Sequence, residues 1–307
     1  MKQGRIDSVL AVAAVLSLVA VPAAAQGQPA RGGVGAPAGA EFGPYYQAPL
    51  VKGGPVARSP DGKADLQGYS TSRFNQAVFD VEDHPQRRPG IAPGKGAIVD
   101  PPDGKIPYQP WAATKAKDLR ENHMFEEPEA HCYLSGVPHE DYGPFGFQIL
   151  QTRGYVVMLW EARHAYRIIP TDGRPHIPAN VKLFEGDSVG HWDGDTLVID
   201  TTNQNGRGWF DMVGNFTSEH IHVVERFTPV DSNTINVEAT IEDPTLYTRP
   251  WKIAGTFGRR LDPDYEQMEF ACIEGNIDPQ HYVESEGGKP SRSTEPPRLT
   301  TEFMCSD

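Results

Sequence analysis

Residues 219–243 read EHIHVVERFTPVDSNTINVEATIED, two alternating runs on either side of Asp231-Ser232-Asn233. In the second run Ile235, Val237, Ala239 and Ile241 fall on one side. Thr234, Asn236, Glu238, Thr240 and Glu242 fall on the other, the period of a half-buried strand. In the first run Ile221, Val223 and Phe227 share a face with Glu225, while His220, His222, Val224 and Arg226 take the opposite one. Two such runs around a short polar break form an antiparallel hairpin.

The same pattern extends in both directions. FQILQT and YVVMLWE flank Arg153-Gly154, a two-residue hairpin signal. HAYRIIP, the Asp172-Gly173 turn, VGHW, a type I′ turn at Asp193-Gly194 and TLVIDTT follow, and beyond the opening hairpin come WKIAGTFGRRL and YEQMEFACIEG. Nine short strands without long helices between them predict an all-β fold. Sequential hairpins favour an antiparallel, calycin-like up-and-down β-barrel over an immunoglobulin-like sandwich. A doubly wound parallel sheet is excluded, because parallel strands need long crossovers.

The barrel domain is expected over 147–280, with an irregular tail over 281–307. Upstream, 61–146 reads as an irregular extension holding one helix over 110–122, introduced by Pro110 and packed on the barrel as a lid or plug. Residues 26–60 are rich in Gly, Pro and Ala and read as a disordered tether. Residues 1–25 carry Lys2 and Arg5, an apolar run from Val9 to Ala20 and the end Ala23-Ala24-Ala25, the layout of a secretory signal peptide. Ser17 and Pro22 interrupt that run, which argues against a membrane span. The expected location is periplasmic or secreted, with no stable membrane insertion after cleavage.

Net charge is −13, and loss of Lys2, Arg5 and Asp7 takes it to −14. Such a chain repels phosphate backbones, so nucleic acid is excluded as a partner and a small-molecule ligand is expected instead. Of the three cysteines, Cys305 lies two residues from the C-terminus, leaving Cys132 and Cys272 as the expected disulfide.

YLSGVPHEDYGPFGFQILQTRGYVVMLWE, DGRPHIP, GDSVGHWDGDTLVIDTTN, HVVERFTPVDSNTINVEATIEDPTLYTRPWKI and the FACIEGN end together resemble a large family of exported bacterial proteins of uncharacterised function. The resemblance covers about residues 100–275 and rests above all on the DGDTLVID and HVVERF blocks. It implies a barrel-type domain and export, and no activity. Its pattern includes Cys132, Asp172, Arg174, His176, Trp192, Asp195, Asp200, His222, Glu225, Arg226 and Cys272, whereas His220 belongs to this chain.

Glu225 is the sharpest candidate for chemistry. A carboxylate on an apolar face is either paired or keeps its proton. It is a candidate catalytic acid or base, or it balances an arginine such as Arg167 or Arg259. His222 and Asp200 are its expected catalytic partners, and Arg226, Arg174, His176 and Trp192 are expected to bind ligand. These residues suit a lyase, isomerase or hydrolase step on a partly apolar molecule. A non-catalytic carrier is the alternative. A second alternative is a metal-dependent enzyme using His220-x-His222, since that spacing on a strand puts two imidazoles on one side. Asp193, Asp195 and Asp200 do not fit a calcium loop, because Val198 and Gln204 occupy the Gly and Glu positions. No H-E-x-x-H, P-loop or G-x-G-x-x-G pattern occurs, so no cofactor is expected.

Overall fold

The computed structural model describes residues 54–85 and 93–285. The expected signal peptide, nearly all of the tether and Cys305 lie outside the described residues. Ten strands follow in chain order: β1 (Gly68–Ser72), β2 (Ile98–Asp100), β3 (Gly146–Thr152), β4 (Tyr155–Trp160), β5 (Tyr166–Pro170), β6 (Asp187–Asp193), β7 (Thr196–Thr202), β8 (His222–Pro229), β9 (Thr234–Glu242) and β10 (Trp251–Arg259). Helix α1 (Pro110–Asn122) lies between β2 and β3, and α2 (Asp278–Ser285) follows β10.

The hydrogen-bonded order is β5-β4-β3-β1-β10-β9-β8-β7-β6, and every neighbouring pair is antiparallel. Short β2 also pairs with β10. Successive strands are therefore neighbours, with β1 joining β3 to β10, and the sheet curls into a nearly closed nine-strand up-and-down barrel. Nine is odd, and antiparallel neighbours alternate in direction. The two ends of the order, β5 and β6, consequently run the same way, and a tight turn cannot connect them. Residues 171–186 carry the chain back along the barrel, and β5 and β6 face each other across a seam without a backbone ladder. Toward one end of the seam they approach closely at Gly190, where a Cβ would lie 3.0 Å from Ile169 Cγ2. Toward the other end the Arg167 side chain spans the gap.

The two ends of the barrel differ. One carries tight turns at 153–154, 194–195 and 230–233. The other carries the long segments 73–97, 101–145, 203–221 and 243–250. At 194–195 only Gly194 has a positive φ, 59°, which is the II′ arrangement in place of the expected I′ turn.

The interior is filled by Phe147, Phe227 and Phe257, whose rings pack edge to face, and by Phe74 and Tyr142 from the segments before β3. Phe74 fits because position 255 is glycine: a Cβ there would come within 2.2 Å of the ring. The extension thus enters the barrel as a plug. Helix α1 occupies the residues where a helix is expected. It starts at Pro110 and buries Ala112, Ala116 and Leu119 at helical spacing. It packs on the 209–216 loop, where Arg120 Nε donates to the Val213 carbonyl at 3.0 Å.

Two expectations fail at the edges of the domain. The ninth barrel strand is β1, GYSTS, from the stretch read as irregular, and YEQMEFACIEG is not a strand. That C-terminal segment instead follows the barrel exterior. Tyr265 packs on Tyr69, Gln267 donates to the Leu159 carbonyl, and Cys272 is bonded to Cys132 with their Cα atoms 5.6 Å apart. The expected disulfide is present, and it ties the tail to the extension. Helix α2 runs across the expected boundary at residue 280, from the end of the expected barrel domain into the start of the tail expected to be irregular.

Candidate functional site

Glu225 points into the barrel and is fully buried, as the alternation of β8 requires. Its partner is Arg167 from β5. Nη1 donates to Oε1 at 3.1 Å and Nη2 to Oε2 at 2.5 Å. The same guanidinium donates to Ser188 Oγ on β6 and Thr201 Oγ1 on β7, each at 3.0 Å, and so fastens the seam. Arg259 turns elsewhere and donates to the carbonyls of Gln67 and Asp65.

Asp141, from the plug, lies against Glu225, with Oδ1 3.9 Å from Arg167 Nη1. Burial and the Glu225 charge push the Asp141 carboxyl well above its ordinary value. Burial opposes ionisation of Glu225 too, but the Arg167 guanidinium, with the Asp141 side chain alongside, holds it below the usual range. Two adjacent carboxyls cannot both ionise cheaply, and here Asp141 keeps the proton. Pairing and proton retention, alternatives for one residue in the sequence, are divided between two.

This dyad belongs to a larger buried network at the long-loop end. Arg163 binds Glu129 at 2.9 Å and Glu140 at 3.0 Å, and His139 Nε2 lies 3.4 Å from Glu129. Glu127 accepts from the Glu129 and Ala130 amides, at 2.9 and 2.7 Å. Burial and the Glu129 charge raise it to about 8. Glu185 accepts from the Gly136 amide at 3.1 Å through Oε1, while its Oε2 is buried without a hydrogen-bond partner. Burial and the Glu140 charge raise it to about 8 as well.

A cavity of about 450 Å³ opens where the seam meets this network. Leu134, Tyr166, Ile168, Leu183 and Phe184 give it apolar walls; Arg167, Glu185 and Ser188 are the polar residues on its inner side. His164 stands exposed at the rim. It and Arg163 both adopt left-handed backbone, with φ of 52° and 54°. Such angles cost a non-glycine residue about 1–2 kcal/mol. The turn they make sends Arg163 into the network and leaves His164 outside.

The other candidate residues do not gather around Glu225. His222 and Asp200 lie on the outer face of β8 and β7, where Asp200 Oδ1 meets His222 Nε2 at 3.0 Å and His176 Nε2 at 3.1 Å. His176 also contacts Asp187 at 2.7 Å, and His222 faces Glu242 at 3.7 Å, giving a chain of alternating acids and imidazoles along the outer wall. His176 comes from 171–186, so the chain holds that return segment on the barrel. Arg226 pairs with Asp193 at 2.8 Å, exposed near the tight-turn end. Arg174 is engaged by Asp172 and by the Tyr155 hydroxyl at 2.7 Å, also in the open. Trp192 is half-buried at the same end, with Lys63 6.0 Å from its ring. The expected single site is therefore split between an interior and an exterior that the sheet separates.

The His-x-His reading loses its strand. β8 begins at His222, and His220 sits in the preceding turn. Among the described residues no group of three His, Cys, Asp or Glu is arranged to hold a metal ion. Sequence reasoning missed Asp141, Glu140, Glu185 and Arg163. All four lie in turns or connections, where no periodicity marks which way a side chain points. Comparison of the chain with protein-family models, curated proteins and solved structures gives no match.

Proposed function

We propose that the protein is an exported β-barrel that takes a small, partly apolar molecule into the seam cavity and performs acid–base chemistry on it with its own carboxyl groups. Export is supported by the leader-like N-terminus and by the Cys132–Cys272 bridge. The observation that carries the reading is the contact between an apolar-walled cavity of ligand size and a buried network holding protonated carboxyls. In this reading Glu185 on the cavity wall takes the role of the acid–base group, releasing and taking back a proton. Glu225, locked to Arg167 behind the wall, keeps Arg167 and Asp141 in place.

One observation favours a carrier as the second reading. Both Glu225 oxygens are bound by Arg167, so the group singled out by the sequence is committed to structure. A fragment screen by NMR tests the first step, with ligand-induced shifts expected at Leu134, 164–168 and 183–188. Shifts elsewhere, or none, would remove the cavity from consideration. Proton exchange between a bound fragment and deuterated water, lost in Glu185→Gln, would establish the acid–base step. Binding without exchange or conversion would leave the carrier.

A further inference from the structure

We infer that the seam cavity is shaped for a small amphipathic cation, an ammonium group on an apolar body, with its charge toward Glu185 and its body against the apolar walls. This rests on the reading of the cavity as a ligand site and adds the chemical class of the ligand.

The first argument is a charge inventory. Six carboxyl groups (Glu127, Glu129, Glu140, Asp141, Glu185 and Glu225) are buried together with two guanidiniums and one imidazole, His139. Both guanidiniums are committed. Arg163 serves Glu129 and Glu140, and Arg167 serves Glu225, Ser188 and Thr201. An anionic ligand would meet a surplus of acids and cations already engaged. A cationic one would meet the surplus itself.

The second argument is the state of Glu185. It is about nine-tenths buried, one oxygen is bound by a backbone amide, and the other has no partner. A buried carboxylate left half-satisfied is costly, so the group holds a proton in the unliganded protein. An ammonium supplies the missing donor and charge together. The exchange balances simply: the carboxylic acid releases its proton to water, and the carboxylate that remains binds the R–NH3+ group. The charged and titratable groups around Glu185 are Glu140, Arg163, Arg167 and Asp141 from the network, with Asp187 and His164 at the cavity wall.

The walls agree with this class. Tyr166 and Phe184 offer aromatic faces, which attract cations. Leu134, Ile168 and Leu183 suit an apolar body. The charge of −14 expected for the chain after leader removal draws cations toward the protein at long range.

The test uses three probes of one shape, cyclohexylmethylammonium, cyclohexanecarboxylate and cyclohexylmethanol, with the full mature chain in calorimetry at pH 7. The ammonium should bind about tenfold or more tightly than either of the others, as expected for a hydrogen-bonded charge pair formed away from water. Its heat should differ between phosphate and Tris buffers, reporting a released proton. Glu185→Gln should abolish the ammonium preference and the proton release while keeping the alcohol's affinity. If that variant does not fold, Tyr166→Leu at a 62 % exposed position should weaken the ammonium more than the alcohol. Equal or tighter binding of the carboxylate or alcohol would overturn the cation inference and leave the cavity as a ligand site. Failure of all three probes and of the fragment screen would remove both.

Discussion

Glu225 and His222 stand three residues apart on β8 and meet different physics. On the inner face, Glu225 is sealed from water with Arg167, and Asp141 beside it stays protonated. On the outer face, His222, Asp200, His176 and Asp187 are joined at similar distances but stand in partial contact with solvent. Similar donor–acceptor distances do not carry similar energies. Charges in the interior have lost their hydration and depend on each other, whereas those outside are screened. The contrast predicts a graded set of responses.

The largest response should come from breaking the inner pair. Arg167→Ala leaves Glu225 buried without its counter-charge, and about 3–5 kcal/mol of stability should be lost. Urea unfolding checks this, and Arg167→Met with Glu225→Leu together should cost less than either change alone. A loss below 1 kcal/mol for Arg167→Ala would place water at the pair and dissolve the contrast.

Next comes the pH dependence of the inner network. Glu127 and Glu185 have folded values near 8, above that of an unfolded glutamate. The folded state therefore holds protons that the unfolded chain releases. Their contribution is complete below about pH 4.5 and is lost as pH rises through about 8. Glu129 and Glu225, held below the ordinary value, act oppositely, and their contribution fades only as pH falls below that value. The melting temperature should accordingly be highest at mildly acidic pH and fall between pH 5 and 9. Glu127→Gln and Glu185→Gln should each flatten that fall.

The outer chain should respond weakly in stability but visibly in local motion. Asp200→Asn weakens the contacts to two imidazoles and should cost at most about 1 kcal/mol. Amide exchange should accelerate across 171–186, because His176 holds that segment, and remain unchanged in β8 and β9. The smallest effect is expected from Arg226→Ala. Its partner Asp193 is in open solvent, and the unfolding midpoint should not move measurably.

The legible part of the site was the part carried by periodicity. Alternation in 219–243 placed Glu225 inward and His222 outward correctly, and Arg167 was one of the two arginines the residue pattern offered as its balance. Which arginine, and the protonated Asp141 beside the pair, depended on how a plug and a distant strand meet inside the barrel. The assembly of His222, Asp200, Arg226, Arg174, His176 and Trp192 into one site failed because proximity across the sheet was inferred without regard to its two faces and two ends. β1 escaped notice because Gly-Tyr-Ser-Thr-Ser has neither apolar alternation nor strong propensity. It is a strand because β3 and β10 offer it two edges. YEQMEFACIEG misled for the converse reason. It has some alternation, but the disulfide and the Tyr69–Tyr265 contact hold it outside the barrel.

The sequence by itself determined the antiparallel class, the hairpins from β3 to β10, the α1 helix and the direction of Glu225. Each follows from interactions between residues near in the chain or from a repeating need to hide one face from water. The tertiary structure alone decided the odd strand number, and with it the seam between β5 and β6. It also decided the entry of Phe74, Asp141 and Tyr142 into the barrel and the excess of carboxyls beside the cavity. Closure, plugging and proton sharing depend on distances between segments remote in sequence, and local chemistry does not encode those distances.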